Sequence, residues 1–169
     1  DREVARRVFE ARILALSNAH NLLSEQHWEA ASLGAIAQME LSALAVDRFR
    51  FQGEPVLLNS KAAIAFAMVL HELASNAVKY GALAHRAGNL SVHWRKDRDA
   101  LVLEWNEMGP NLPDSVSELK PGFGMKMLER IVTGELEGRL DLERRSNSLS
   151  WTLSIPLREI EKTAVETDA

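Results

Sequence analysis

The run HELASNAVKYGAL, His71 to Leu83, restricts what this chain can fold into more than any other stretch. It continues an apolar pattern that starts near Asn59 and meets no glycine or proline until Gly81. The spacing therefore predicts one helix from Asn59 or Ser60, either of which can cap it, to about Tyr80. Gly81 is a common residue just past a helix end. At roughly 100° per residue, Phe66, Leu70, Leu73 and Ala77 share one face, and Glu72, Asn76 and Lys79 fall within an arc of roughly 60° on another. One face needs a sheet to cover it, while the other presents a carboxylate, an amide and an ammonium. An amide oxygen and a carboxylate can serve a hard cation directly or through water, and Mg²⁺ usually takes only one or two protein oxygens. Lys79 adds a positive charge suited to a phosphate. The same three residues also fit a solvated face with Asn76 bonded to nearby backbone, so this helix by itself leaves both readings open.

The surrounding pattern supplies the sheet. Residues 3–23 carry Phe9, Ile13, Leu16, His20 and Leu23, a heptad-like stripe suited to a helical bundle. A second helix is expected over 29–44, with Ser32 as a cap. Arg48–Phe51 and Pro55–Leu58 read as two short strands around the Gly53-Glu54 turn. After the central helix come strands at 90–95 and 100–106, a long segment from Met108 to Pro121 without clear period, a helix at 125–132, and strands at 139–144 and 149–156. A loop that long inside a domain is often functional. A helical N-terminal part followed by β-β-α-β-β-loop-α-β-β indicates an α+β two-layer sandwich. The expected divisions are a helical segment 1–44, a catalytic-type domain 45–157 and a disordered tail 158–169.

Two more stretches fit a nucleotide. Strand alternation puts Leu101, Leu103, Trp105 and Glu107 on one face, leaving a carboxylate at the end of an apolar row. Burying it costs several kcal/mol, on the order of 2–7, unless donors meet it, and an adenine amino group is one such donor. A strand-end glutamate facing water is the plainer alternative. Pro121-Gly122-Phe123-Gly124 precedes a helix, where glycines let the backbone approach an anion. By itself such a run is more often a turn.

Composition narrows the field without choosing a function. The 169 residues are 46% hydrophobic and 26% charged, with net charge −4 and no cysteine. A core of useful size needs no disulfide or structural metal. The absence of cysteine removes disulfides, zinc-thiolate sites and cysteine nucleophiles. No Lys/Arg cluster reaches the density of a nucleic-acid footprint, and no apolar run approaches a membrane span. The chain begins at Asp1 inside a helical pattern, so it is expected to be part of something longer.

Together, HELASNAVKYGAL, Trp105-Asn106-Glu107 and Gly122-Phe123-Gly124 resemble the HWE family of bacterial sensor histidine kinases. RILALSNAHNLLSEQHW upstream looks like the second helix of that family's dimerisation and phosphotransfer region. The resemblance extends to about Leu157 and implies the α+β sandwich shared by histidine kinases and Hsp90-type ATPases. It implies that Asn76 holds Mg²⁺ with the triphosphate of ATP, that Lys79 contacts phosphate and that Tyr80 lies near the nucleotide. Glu107 takes the adenine-reading role, with Gly109 beside it, while Gly122, Phe123 and Gly124 form the lid hinge and phosphate loop. Glu72 becomes the candidate for polarising the attacking imidazole, with a water-mediated role at Mg²⁺, and His71 and Trp105 are family markers. It further implies a cytoplasmic location, a homodimer through the N-terminal helix, an upstream sensory domain and a response regulator receiver domain as partner.

Two departures from the family pattern stand out. Glu107-Met108-Gly109-Pro110 has one glycine before the proline where the family usually has two, and no His-Arg-x-x-Asn acceptor sequence occurs. His20 falls in the apolar stripe and matches the family's AHxLL segment, while His27, His85 and His93 are expected at the surface, so no phosphoacceptor is assigned in this chain. Two rivals are a degenerate kinase-like scaffold without ATP, which the set Glu72, Asn76 and Lys79 argues against, and an Hsp90- or MutL-type ATPase, which leaves the N-terminal helix unexplained.

Overall fold

A computed structural model describes residues 2–25, 30–44, 47–110, 112 and 123–162. In chain order these form α1 (Arg2–Glu25), β1 (Ala30–Ser32), α2 (Leu33–Ser42), β2 (Phe49–Gly53), β3 (Leu57–Asn59) and α3 (Ser60–Lys79). A 3₁₀ turn at Ala82–Ala84 leads to β4 (Asn89–Asp97) and β5 (Ala100–Met108). Then come α4 (Phe123–Glu129), which continues as a wider π-type turn over Arg130–Glu135, β6 (Arg139–Arg145), β7 (Ser148–Pro156) and α5 (Leu157–Ile160).

Five strands make a sheet in the order β2-β4-β5-β7-β6. All pairs are antiparallel except β2 with β4, which run parallel. The expected hairpin of the two early strands is therefore not formed. A parallel pair needs a crossover, and β3, α3 and the turn after it supply one between β2 and β4. β3 pairs with β1 in a separate two-stranded ribbon. Ala30 and Ala31 were expected to be helix and are strand, whereas Ser32 caps α2 as expected, accepting from Ala35 N at 3.4 Å.

Alternation along the strands gives the sheet one apolar face. Phe51, Val92, Trp105, Trp151 and Leu142 stand in register across it, as do Trp94, Leu103, Leu153 and Leu140 in the next row. The Trp94 indole lies over Gly53, where a Cβ would come within 2.2 Å of the ring, and donates to Glu54 O at 2.9 Å. A third row, Phe49, Leu90, Glu107, Leu149 and Arg144, carries a carboxylate among apolar neighbours.

α3 covers this face. Asn59 caps it, accepting from Ala62 N at 2.9 Å, and Phe66, Leu70, Leu73 and Ala77 are buried as the periodicity predicts. Ala62, Ala63, Ala65, Ala67 and Ala74 are buried as well. α1 and α2 pack on the far side of α3, so the helix is covered from two directions and its small residues allow the close approach.

α1 presents only one residue of the predicted heptad stripe to the domain. Leu23 is buried together with Ala15 and Ala19, while Phe9, Ile13, Leu16 and His20 are exposed. The short alanine side chains let α1 sit close to the rest of the domain, and the larger apolar row stays on the outside. The C-terminus also differs from expectation. Ile160 is fully buried and Glu161 pairs with Leu58, so packing continues past the expected boundary at Leu157. Among the described residues no helix is long and apolar enough to cross a membrane.

Candidate functional site

A cavity of about 940 Å³ opens between α1, α3 and the start of α4. Glu72, Asn76, Lys79, Tyr80 and Gly124 all line it, as does His71. Most of the predicted site residues are thus in one place. Glu107, Trp105 and Gly109 lie apart from it, behind the C-terminal end of α3. Gly122 and most of the Met108–Pro121 segment lie outside the described residues, as does the Phe123 side chain.

Asn76 sits half-buried at the centre of the α3 face that meets the cavity. Its backbone oxygen accepts from both Tyr80 N and Gly81 N, which ends the helix in a tight turn. Among the described residues its side chain makes only a long contact from Nδ2 to Met125 Sδ, 3.8 Å. An amide so weakly engaged inside a cavity can turn its oxygen toward a cation. Lys79 is exposed at the rim and has no carboxylate partner among the described residues. Tyr80 is exposed beside it. A half-buried amide oxygen, an exposed ammonium and a cavity of this volume fit a Mg²⁺-bound polyphosphate, which takes few protein oxygens.

Glu72 is not turned freely into the cavity. Only 5% exposed, it accepts from Arg12 Nε of α1 at 2.5 Å through Oε1. Its other oxygen faces Gly124, where a Cβ would stand 2.4 Å from Oε2 and 3.4 Å from Arg12 Nη2. The ion pair fills the space that a side chain at 124 would take, so a larger residue there has to displace the Glu72 carboxylate. Three elements therefore meet at one charge pair.

One residue earlier, His71 Nδ1 lies 3.3 Å from Glu40 Oε2 of α2. Glu40 is 5% exposed and its Oε1 has no hydrogen-bond partner among the described residues. Part of the cavity wall is therefore a buried carboxylate only half satisfied, and His71 is the group that meets it. This gives the family-marker histidine a packing role.

Glu107 is buried as strand alternation predicts, with 2% exposure. The donors that meet it belong to the protein. Trp105 Nε1 donates to Oε1 at 2.9 Å, and Ala82 N donates to Oε2 at 2.8 Å. Burial pushes the Glu107 carboxyl above its ordinary value, and the Ala82 and Trp105 donors pull part of the way back. The spacing of Trp105 and Glu107 now has a cause: residues two apart on one strand face stand close enough for the indole to hold the carboxylate. Gly81 is compelled by the same group, since a Cβ there would lie 2.0 Å from Glu107 Oε2. Gly109 packs on Gly88, its Cβ position 3.0 Å from that residue's Cα.

Arg48, Gly88, Arg12 and Glu40 were not singled out by sequence. Arg48 donates to the carbonyls of His85, Gly88 and Leu83 and so ties down the segment after α3. The face of α1 formed by Val8, Ala11, Arg12, Ala15, Ala19 and Leu23 was legible as a small-residue stripe carrying one arginine, but the larger heptad stripe masked it.

Residues 1–55 match the family model described as HWE histidine kinase. The chain is 33% identical over 147 residues to a blue-light-activated histidine kinase of Rhizobium johnstonii, covering 86% of this chain and 42% of that protein. It is 29% identical over 164 residues to one of Brucella ovis, covering 93% of this chain and 33% of that protein. It spans well under half the length of these curated relatives. The fold is that of the histidine kinase domain of the Erythrobacter litoralis EL346 blue-light-activated histidine kinase, with TM-score 0.72 at 17% identity over 89% of this chain and 75% of that one. Acinetobacter baumannii AdeS, also a histidine kinase, aligns with TM-score 0.62 at 20% identity over 92% of this chain and 79% of that one. Residues 1–55 thus carry the HWE histidine kinase match, and over nearly its whole length the chain is similar to histidine kinases in sequence and in fold.

Proposed function

We propose that this chain binds Mg-ATP in the cavity beside α3 and serves as the catalytic region of a sensor histidine kinase, passing the γ-phosphoryl group to a histidine outside the chain. The observation that carries this reading is the gathering of Asn76, Lys79, Tyr80 and Gly124 around one cavity with Glu72 at its inner wall. Mg²⁺, when bound, neutralises phosphate charge. Asn76 is the residue to hold it, with Glu72 reaching it at most through water. Lys79 reaches phosphate from the rim, and Tyr80 lies along the nucleotide. Glu107, held by Trp105 and Ala82 and flanked by Gly109, lies apart from the cavity behind the C-terminal end of α3, so its adenine-reading role requires a nucleotide that extends past Tyr80 to its remaining lone pairs. Gly124, in the first turn of α4 on the cavity wall, brings backbone toward the phosphates.

In the transfer, the bond from the γ-phosphorus to the bridging oxygen breaks, leaving ADP, as a bond forms to the unprotonated imidazole nitrogen. The proton on the other ring nitrogen stays in place, hydrogen-bonded to Glu72. Catalysis of this type depends chiefly on positioning and charge neutralisation.

The exposed row Val4, Phe9, Ile13, Leu14 and Leu16 on α1 supports packing against a further helix and a second copy of the chain. A receiver domain then takes the phosphoryl group, and a sensory domain acts from upstream. The need for ATP puts this catalytic region on the cytoplasmic side. The test is to prepare the protein with its preceding helix and incubate it with γ-labelled ATP. Label that survives base and is lost in acid is expected, and label stable to acid contradicts transfer to histidine.

A further inference from the structure

We infer that Arg12 is a two-position cation: it pairs with Glu72 in the arrangement described here and turns to the terminal phosphate when a nucleoside triphosphate binds, freeing Glu72. The inference rests on the nucleotide reading above and deepens it. A guanidinium on Oε1 offsets the charge with which Glu72 polarises an imidazole N–H, so Glu72 acts more weakly on an acceptor while Arg12 Nε holds it. Moving Arg12 away restores that charge, and the cavity suggests what moves it.

Arg12 lines the same cavity as Asn76, Lys79 and Tyr80. Asn76 follows Glu72 by about one helical turn, so a phosphate near its amide stands roughly 6 Å along the axis from Arg12's present partner. The other arm of the guanidinium already faces Gly124 at the start of α4. Its planar fork matches phosphate as well as carboxylate. A terminal phosphate carries more charge than Glu72 and competes for the same donors. Movement of one side chain would thus register the γ-phosphate, unmask Glu72 and loosen α1 from α3 together. Because Arg12 belongs to the helical segment and Glu72 to the catalytic layer, the exchange links nucleotide state to the docking of the two.

The test is calorimetric titration of this chain with Mg-ATP and Mg-ADP. For Arg12→Gln, affinity for Mg-ATP should fall about tenfold and that for Mg-ADP less than about twofold, the loss of one charge-assisted contact to the terminal phosphate. Arg12→Lys should recover part of that loss. Glu72→Gln should raise ATP affinity over ADP, because Arg12 loses its competing partner. The double variant Arg12→Gln/Glu72→Gln leaves no orphaned carboxylate, so its selective loss of ATP affinity guards against a folding defect. Equal shifts for both nucleotides, or none, would overturn the inference while leaving the nucleotide site intact. Failure of the unsubstituted chain to bind either nucleotide would instead remove the reading on which it rests.

Discussion

Replacing Trp105 by phenylalanine isolates the bond that holds Glu107. The indole is fully buried and its Nε1 donates to Glu107 Oε1 at 2.9 Å. Phenylalanine keeps an aromatic ring but removes the donor and part of the volume. The volume loss costs about 1 kcal/mol if the site relaxes in part, and a bond to a charged group about 1.5–3 kcal/mol more. Trp151 provides the control. It stands in register with Trp105 and is 5% exposed, but its indole has no hydrogen bond among the described residues. Trp151→Phe should therefore cost the volume part alone. The difference should also depend on pH. Glu107 has its folded-state pKa raised above the ordinary 4.5, so its contribution to stability is fully present below that value and is lost as pH rises through the folded pKa. Removing Trp105's donor takes away one group that favours the charged form and raises the folded pKa further. The penalty of Trp105→Phe should thus be smaller near pH ~5 and larger near pH ~8. Urea denaturation of both variants at the two pH values measures it. Equal penalties for Trp105→Phe and Trp151→Phe, or a penalty that does not grow with pH, would refute the account of Glu107.

Three further outcomes are expected from the same denaturation assay. His71→Leu leaves buried Glu40 without its partner and should cost about 1–3 kcal/mol, whereas adding Glu40→Met should restore most of it. Gly81→Ala brings a Cβ within 2.0 Å of Glu107 Oε2 and 2.8 Å of Ala77 Cα, so it should destabilise by about 1–3 kcal/mol despite the small change. Asn59→Ala removes the α3 cap and the bond from Asn59 Nδ2 to Glu159 O at 2.9 Å. It should cost about 1–2 kcal/mol and speed proteolysis after Pro156.

How much was legible in the sequence varied with the range of the interaction. α3, its cap and its buried face followed from local periodicity, as did the burial of Glu107 from strand alternation. Pairing partners did not, because register is set by residues far apart in the chain. The parallel β2–β4 pair and the β1–β3 ribbon both depend on where α3 packs. The polar face of α3 was predicted as a set, but its members have different fates. Asn76 and Lys79 meet the cavity lightly engaged, whereas Glu72 is claimed by an arginine 60 residues away in sequence. Spacing along one helix cannot report a partner on another. For the same reason Ala82 and Trp105 were not foreseen as donors to Glu107, for which an adenine amino group was one expected donor.

The central claim is that the cavity beside α3 is a Mg²⁺-dependent ATP site centred on Asn76. Calorimetry of this chain with ATP tests it most directly, with and without Mg²⁺ and against Asn76→Ala. Saturable binding that requires Mg²⁺ and weakens at least about tenfold in Asn76→Ala is the predicted result. No heat at millimolar nucleotide, or binding indifferent to both Mg²⁺ and Asn76, would contradict it and favour a scaffold that keeps the fold without the nucleotide.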